Sequence, residues 1–223
     1  MPRPRRSPAP QERLRDAERT KQRILDAAAG EFAAHGYAGA RIRAIAERAG
    51  VNQQLVSYYF DGKEGLFRAM SEQWQQRQAQ ISEPGTPLPE QLRRYAMENL
   101  HNPDGVRMVA WNGLQYTGDD PGGTERTAML ARGVEQIASL VGDDNPDLDP
   151  HCLLVMLMAA CMAPTTLPQV IAGLCQTDPK DPQFVEHYAD QVARVAESLG
   201  LGADSSGTPS PARRRSRRAG TGL

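Results

Sequence analysis

Four polar side chains at helical spacing carry the most distinctive chemistry of the sequence. Gln53, Gln54, Ser57 and Tyr58 lie within the stretch AGVNQQLVSYYFDGKEGLF, and on a helix they share one face. Glutamine amides can hydrogen-bond to the edges of DNA bases, and a serine is small enough to allow close approach. Tyrosine hydroxyls, together with the ammonium group of Lys63, can hold phosphates. This face therefore predicts contact with DNA.

Two short helices and a glycine turn would position this face. The first, IRAIAERAG, has a buried side followed by Gly50 as its stop; that side consists of Ile42, Ile45, Ala46 and Ala49. Asn52 is a good N-cap for the second helix, which Val56 and Phe60 would anchor from its inner side. Leu55 flanks the polar face, where it can touch a thymine methyl group. Such a pair is the helix-turn-helix arrangement, whose second helix lies in the DNA major groove.

A longer amphipathic helix precedes this pair. In RTKQRILDAAAGEFAAHG, Thr20 is a candidate N-cap and Gly36 stands one residue beyond the predicted end. Its apolar face consists of Ile24, Leu25, Ala28 and Phe32. Together the three helices predict a small core that carries the polar face on its surface.

The charge is divided along the chain. Residues 1–77 carry 14 Lys and Arg against 9 Asp and Glu, residues 78–204 carry 7 against 18, and residues 205–223 carry 5 against none. A basic first part beside an acidic middle favours a polyanionic partner for the first part only.

The sequence from Gly36 to Met70 resembles the DNA-binding domain of the tetracycline-repressor (TetR) family of transcriptional regulators. The likeness extends over about Arg19 to Trp74, a third of the chain, and it lies in short segments at fixed spacing. These are Phe32 and Gly36-Tyr37, Ile45-Ala46, Ala49-Gly50-Val51, Tyr58-Tyr59-Phe60, and Lys63-Glu64 with Leu66. The resemblance implies an all-α fold, in which an N-terminal three-helix helix-turn-helix domain is joined by a long helix to a C-terminal helical effector-binding and dimerisation domain.

Carried over by position, the resemblance implies base contacts and phosphate contacts. The implied base contacts come from Arg43, Gln53, Gln54 and Ser57, and the implied phosphate contacts from Tyr58, Tyr59 and Lys63. The chain departs from the family pattern at Ala40-Arg41, where a Thr or Ser pair usually opens the second helix, and at Ser57, where tyrosine is common. Without the hydroxyl cap, Arg41 is a further candidate for phosphate binding. Asn52 and Leu55 complete the predicted set of DNA-binding residues. Both departures bear on the operator sequence.

The rest of the chain predicts a helical bundle. Helical patterns cover about residues 63–82, 88–101, 104–117, 124–141, 150–175 with Pro164 and Pro168 interrupting, and 182–199. We therefore expect a disordered basic arm over residues 1–18, a DNA-binding domain over 19–72, a ligand-binding and dimerisation domain over 73–201, and a disordered basic tail over 202–223. The arginines of the two ends are expected to add sequence-independent DNA affinity.

The family places dimerisation in the last long helices and an effector pocket among the others. Here the predicted dimer helices are 150–175 and 182–199, with the apolar residues Leu153, Leu157, Val185, Tyr188, Val192 and Val195. A pocket for a moderately hydrophobic small molecule is predicted from Met108, Trp111, Tyr116, Met158, Cys161 and Met162. Methionine and tryptophan at helical spacing are also ordinary core residues, so packing is the alternative.

Three other classes of protein remain as alternatives. An all-α enzyme is disfavoured because the four histidines pair with no obvious nucleophile and no GxSxG, P-loop or dinucleotide motif is present. A metal sensor would use His151, Cys152 and Cys161, but the two cysteines are nine residues apart, on roughly opposed faces of a helix. An architectural DNA-binding protein would have no use for an acidic second domain. The sequence predicts a ligand-responsive, dimeric, sequence-specific repressor that needs no cofactor and no metal.

The expected compartment is the cytoplasm. Cysteine spacings match neither a disulfide framework nor a metal knuckle. The charged, proline-rich beginning MPRPRRSPAP lacks the apolar segment of a secretory signal, and the longest apolar run, CLLVMLMAACMAP, is short for a membrane span.

Overall fold

The computed structural model describes residues 10–81, 83, 85–115, 123–142 and 147–202. Within these residues the chain forms ten helices and no strand. Packing divides the chain into an N-terminal unit, Met1–Gln80 with Asn102–Asp119, and a C-terminal unit, Ile81–His101 with Asp120–Leu223. The all-α prediction is confirmed. The expected basic tail, the start of the expected arm and Tyr116 lie outside the described residues.

The N-terminal unit begins with four helices. They are α1 (Pro10–Gly39), α2 (Ile42–Ala49), α3 (Gln53–Phe60) and α4 (Gly62–Ile81). Gly36 interrupts α1 with a positive φ of 65°, which agrees with its predicted role as a stop.

The start of α1 corrects two predictions. The helix begins at Pro10, so residues 10–18 are helical rather than part of a disordered arm. Proline is favourable in the first helical turn because its φ is already suited to a helix and its missing N–H would have no partner there. Thr20 is therefore an interior residue, and its hydroxyl donates to the carbonyl oxygen of Asp16 at 2.7 Å instead of capping the helix.

The core of the N-terminal unit is built from the residues that the helical spacing predicted. Ile24, Phe32, Ile45, Val56 and Leu66 are each fully buried. They come from four different helices, so their burial fixes the positions of α2 and α3 against α1 and α4.

The remaining helices follow the predicted ranges, except that Pro164, predicted to interrupt a helix, lies inside one, and only Pro168 begins a new helix. They are α5 (Leu88–His101), α6 (Asp104–Leu114), α7 (Gly123–Val141), α8 (Pro150–Thr166), α9 (Pro168–Cys175) and α10 (Pro182–Ser198). Asp149 and Asp181 cap α8 and α10, and each cap is followed by a proline at the first helical position. The core of the C-terminal unit includes Leu92, Ile137 and Ala189.

Helix α6 packs with the N-terminal unit, although it follows α5 in the chain. The indole N–H of Trp111 donates to the carbonyl oxygen of Ala33 at 3.3 Å, and its ring lies against Gly36. At the other end of α6, the indole of Trp74 occupies the space beside Gly105 that a side chain would need. The predicted boundary at residue 72 divided the chain into two consecutive segments. Packing instead places α6, which follows α5 in the sequence, in the N-terminal unit.

The predicted dimer face is wrong for most of its residues. Leu153, Leu157, Val185 and Val192 are buried within their own chain. Tyr188 is half-buried, and its hydroxyl donates to the carbonyl oxygen of Ala160 at 2.8 Å. Of the six residues, only Val195 is largely exposed, at 53%.

The outward apolar residues of α8 are on its other side. Val155 and Met156 are 66% and 65% exposed. The two faces of α8 are equally apolar, so the spacing of its residues did not distinguish them.

No single helix among the described residues has the length and apolarity needed to cross a membrane. Helices α8 and α9 meet that test only when taken together, and a bend of 82° separates them.

Candidate nucleic-acid interface

The turn between α2 and α3 has the geometry that the sequence predicts. Gly50 adopts a left-handed conformation with φ 65° and ψ 40°, and its N–H bonds to carbonyl oxygens at the end of α2. Asn52 has an extended backbone, and its side-chain oxygen accepts from the N–H of Leu55 at 2.7 Å. These two residues end one helix and start the next within three positions, which fixes the direction of α3.

The polar face of α3 is fully presented to solvent. Gln53, Gln54 and Ser57 are exposed, and Tyr58 is 80% exposed. On the opposite side Val56 is fully buried, and Phe60 packs against the same core. The four residues predicted to contact DNA are therefore held together on one outward face by the burial of the other.

Two residues that are predicted to contact DNA also pack against neighbouring side chains. Tyr59 is half-buried against the N-terminal core, where its ring makes edge contacts with Tyr58 and Phe60. Leu55 is also partly buried. Only part of each side chain is available to DNA.

Lys63 is held at the start of α4. Its ammonium group donates to the carbonyl oxygen of Ala38 at 3.2 Å and lies 4.8 Å from the centre of the Tyr37 ring. The positive charge is thus held against the end of α1, and its role in phosphate binding stays a prediction.

The two arginines of α2 differ in their surroundings. Arg43 is exposed and donates to the carboxylate of Glu47 at 2.8 Å, and this hydrogen bond raises the pKa of the guanidinium. Arg41 is exposed at the N-cap of α2, where its side chain makes no capping bond. Both guanidinium groups are accessible to a phosphate or a base edge.

Sequence reasoning missed two residues of α1 that bind the ends of α2. The carboxylate of Glu31 accepts from the backbone N–H of Arg41, and the guanidinium of Arg23 donates to the carbonyl oxygens of Ala49 and Gly50. Their partners are 10 to 27 positions away in sequence. Helical periodicity carries no signal for contacts at that separation.

The residues of the predicted effector pocket fall into two groups. Met108 is buried in the N-terminal core, and Trp111 packs on α1. Met158 and Met162 are partly exposed on α8, whereas Cys161 is buried in the C-terminal core, with its thiol donating to the carbonyl oxygen of Leu92 at 3.6 Å. The burial of Met108 and Cys161 favours the packing alternative for these two residues.

The cysteines proposed for a metal sensor differ in exposure. Burial raises the pKa of the Cys161 thiol to about 12, so this group stays protonated near neutral pH and is a poor thiolate ligand. Cys152 is exposed, and its thiol donates to the carboxylate of Asp149 at 3.4 Å. Across the described part of the chain, no three His, Cys, Asp or Glu side chains are grouped to hold a metal ion.

Two family models match the chain. Residues 24–70 match the family described as "Bacterial regulatory proteins, tetR family". Residues 87–198 match "Tetracyclin repressor-like, C-terminal domain". The second match is one continuous segment that includes α6, although α6 packs in the N-terminal unit.

Related proteins of known name are transcriptional regulators rather than enzymes. The HTH-type transcriptional repressor SCO4008 of Streptomyces coelicolor is 34% identical over 164 residues, which cover 70% of this chain and 83% of that protein. The HTH-type transcriptional regulatory protein RaaS of Mycobacterium tuberculosis is 47% identical over 57 residues, or 25% of this chain and 26% of that protein.

Solved structures share the fold. The Streptomyces coelicolor protein SCO4942 superposes with a TM-score of 0.66 at 24% identity, covering 82% of this chain and 99% of that chain. NalD of Pseudomonas aeruginosa superposes with a TM-score of 0.54 at 22% identity, covering 80% and 97%. The helix-turn-helix unit and the helical C-terminal unit thus occur together in proteins of distant sequence.

Proposed function

Because the chain belongs to the TetR family of DNA-binding transcriptional regulators, we propose that it is a dimeric repressor released from an inverted-repeat operator by a small hydrophobic effector. The observation that carries the DNA-reading part is the outward face of α3, with Gln53, Gln54, Ser57 and Tyr58 exposed above a buried Val56. Glutamine and serine at this face suit base edges, and Tyr58 with Lys63 suits phosphates.

A dimer follows from the size of this face. One helix-turn-helix unit makes few base contacts, whereas two units related by a two-fold axis read two half-sites separated by one or more helical turns. The operator is therefore an inverted repeat. Because phosphate contacts release counterions, the affinity falls steeply as salt rises.

The outer face of α8 is the proposed dimer contact. Val155 and Met156 are exposed there beside the small residue Ala159. Tyr188 of α10 bonds to Ala160, one turn from Met156, and Val195 lies two turns further along the same side of α10. The seam between α8 and α10 thus presents apolar groups that a second copy would cover.

The effector is proposed to bind in the C-terminal unit. Met158 and Met162 of α8 are only partly buried, and methionine adapts well to apolar ligands. Polar groups accompany them: the side-chain amide of Asn99 on α5 donates to the carbonyl oxygen of Cys161 at 3.3 Å, and the Thr165 hydroxyl donates to the backbone carbonyl oxygen of Asn99 at 2.8 Å. An apolar wall with a few polar groups suits a moderately hydrophobic small molecule.

Release requires an effector that binds one form of the dimer more tightly than the other.

A binding experiment separates this proposal from the architectural alternative. A library of moderately hydrophobic compounds is screened by thermal shift, and binders are titrated calorimetrically with and without operator DNA. We expect at least one compound that binds stoichiometrically and lowers operator affinity. Compounds that bind without changing operator affinity, or an absence of binders, would favour an architectural protein without an effector.

A further inference from the structure

Helix α2 lacks the capping groups that usually fix the start of a helix. Its N-cap is Arg41, whose side chain makes no capping hydrogen bond. Its third residue, Ala44, has no side-chain acceptor to reach back to the N–H of Arg41, as Glu or Gln does in a capping box. A helix of eight residues is too short to be stable by itself. Contacts from outside α2 must therefore hold it in place.

Glu31 of α1 supplies the missing acceptor. Its side chain is almost fully buried, and Oε1 accepts from the backbone N–H of Arg41 at 3.2 Å. Its other oxygen lies 3.8 Å from Nη2 of Arg48 and 3.9 Å from Nε2 of His35. A buried carboxylate is stable only with such partners. The negative charge lies at the end of α2 where the helix dipole is positive.

A glycine of α1 makes room for one of these partners. A Cβ atom at Gly30 would lie 2.7 Å from Nη1 of Arg48, so a side chain there would displace the guanidinium. Glycine inside a helix costs about 1 kcal/mol relative to alanine. Gly30 therefore has a structural reason to be in the middle of α1, because it lets Arg48 approach Glu31.

Arg23 of α1 binds the other end of α2. Its Nη2 donates to the carbonyl oxygen of Ala49 and, at 3.4 Å, to that of Gly50. A Cβ atom at Gly50 would lie 2.8 Å from the same nitrogen. A positive group thus satisfies carbonyl oxygens at the end of α2 where the helix dipole is negative. The same residue, Gly50, makes the turn into α3.

We propose that Glu31 and Arg23 form a two-ended clamp from α1 that sets the position of α2, and thereby the angle at which α3 meets DNA. Glu31 is a positioning residue: it contacts no base or phosphate and acts through the N–H of Arg41. This inference deepens the proposed function and rests on it for the DNA consequence. The clamp itself is a property of the free protein.

The first test measures the clamp without DNA. Amide hydrogen exchange is followed at Arg41 and Ile45 in the wild type, Glu31→Leu and Glu31→Gln. Because a hydrogen bond to a charged group contributes about 1.5–3 kcal/mol, we expect about tenfold or faster exchange at these amides in Glu31→Leu. Glu31→Gln keeps a hydrogen-bond acceptor, so its exchange rates at Arg41 and Ile45 should lie between those of the wild type and Glu31→Leu. The control Glu47→Leu removes a carboxylate of α2 that pairs with Arg43 at 2.8 Å, and it should leave this exchange unchanged.

The second test measures the consequence for DNA with a double-mutant cycle. Ala44→Glu places a carboxylate at the position from which a capping box reaches the N–H of Arg41. Glu31→Leu should weaken operator binding by about tenfold in the Ala44 protein, as expected for one charged hydrogen bond. The loss should be about twofold or less in the Ala44→Glu protein. Any direct effect of the new charge on DNA cancels in the cycle.

The outcomes separate the clamp from the proposed function. An equal loss of operator affinity in both backgrounds, or unchanged exchange at Arg41 and Ile45, would overturn the clamp. A wild-type protein without operator preference would contradict the proposed function, while the exchange experiment would still decide on the clamp. If Glu31→Leu does not fold, the double-mutant cycle is repeated with Glu31→Gln, which removes only the charge. An equal loss of operator affinity in the Ala44 and Ala44→Glu proteins would again overturn the clamp.

Discussion

Replacing both glutamines of α3, Gln53→Ala with Gln54→Ala, is expected to remove much of the preference for operator over random DNA while leaving the fold intact. Both side chains are exposed, and alanine favours a helix, so stability should change little. A good base contact contributes about 1–3 kcal/mol of discrimination, and the double variant should therefore lose a few kcal/mol at most. The measurement is an equilibrium titration of both DNAs at one salt concentration.

Lys63→Ala is the matched control, because Lys63 is proposed to hold a phosphate. It should weaken binding to operator and to random DNA about equally, and it should lower the slope of log K against log salt by about 1. An unchanged discrimination in the glutamine variant would remove α3 as the reading helix. A selective loss of operator binding in Lys63→Ala would assign this residue to base reading instead.

Met156→Glu is expected to convert the dimer into monomers and to weaken operator binding by about 10²–10³-fold. Met156 is 65% exposed on the outer face of α8. A dimer would bury it against a second copy, where an unpaired carboxylate is unfavourable. Loss of the second reading unit removes an avidity gain of about 10²–10⁴. Sedimentation velocity gives the oligomeric state, and titration with operator DNA gives the affinity.

Two controls accompany this variant. Met156→Leu keeps an apolar side chain at the same position and should remain dimeric. Leu114→Glu adds the same charge at another exposed apolar residue, which is 81% exposed on α6, and should also remain dimeric. A dimeric Met156→Glu protein with normal operator affinity would rule out the outer face of α8 as the dimer contact.

Local signals in the sequence predicted most helices and the outward polar face of α3. Gly50 and Asn52 act on their immediate neighbours, so their roles as stop and cap could be inferred from residue type and position. The same holds for Gly36, and for Pro168, which starts a separate helix after α8. The start of α1 was predicted wrongly, because Thr20 has the residue type of an N-cap but lies inside a helix that begins at Pro10.

The proposed dimer face was not predictable from the spacing of residues. In α8 apolar residues surround the helix on all sides, so no periodicity separates Leu153 and Leu157, which are buried, from Val155 and Met156, which are exposed. Two further contacts were not predictable from residue spacing either. They are the packing of α6 on α1 through Trp111 and the hydrogen bond between Glu31 and Arg41. They join residues that are distant in the chain, and only the fold brings these residues together.

Selection of bound fragments from a random DNA pool shows whether the protein is a dimeric, sequence-specific DNA-binding regulator. The purified protein is used at near-physiological salt, so that sequence-independent affinity does not mask preference. We expect enrichment of an inverted repeat, with half-sites spaced by about one or more helical turns. No enrichment, or binding that depends on salt but not on sequence, would contradict a dimeric sequence-specific regulator.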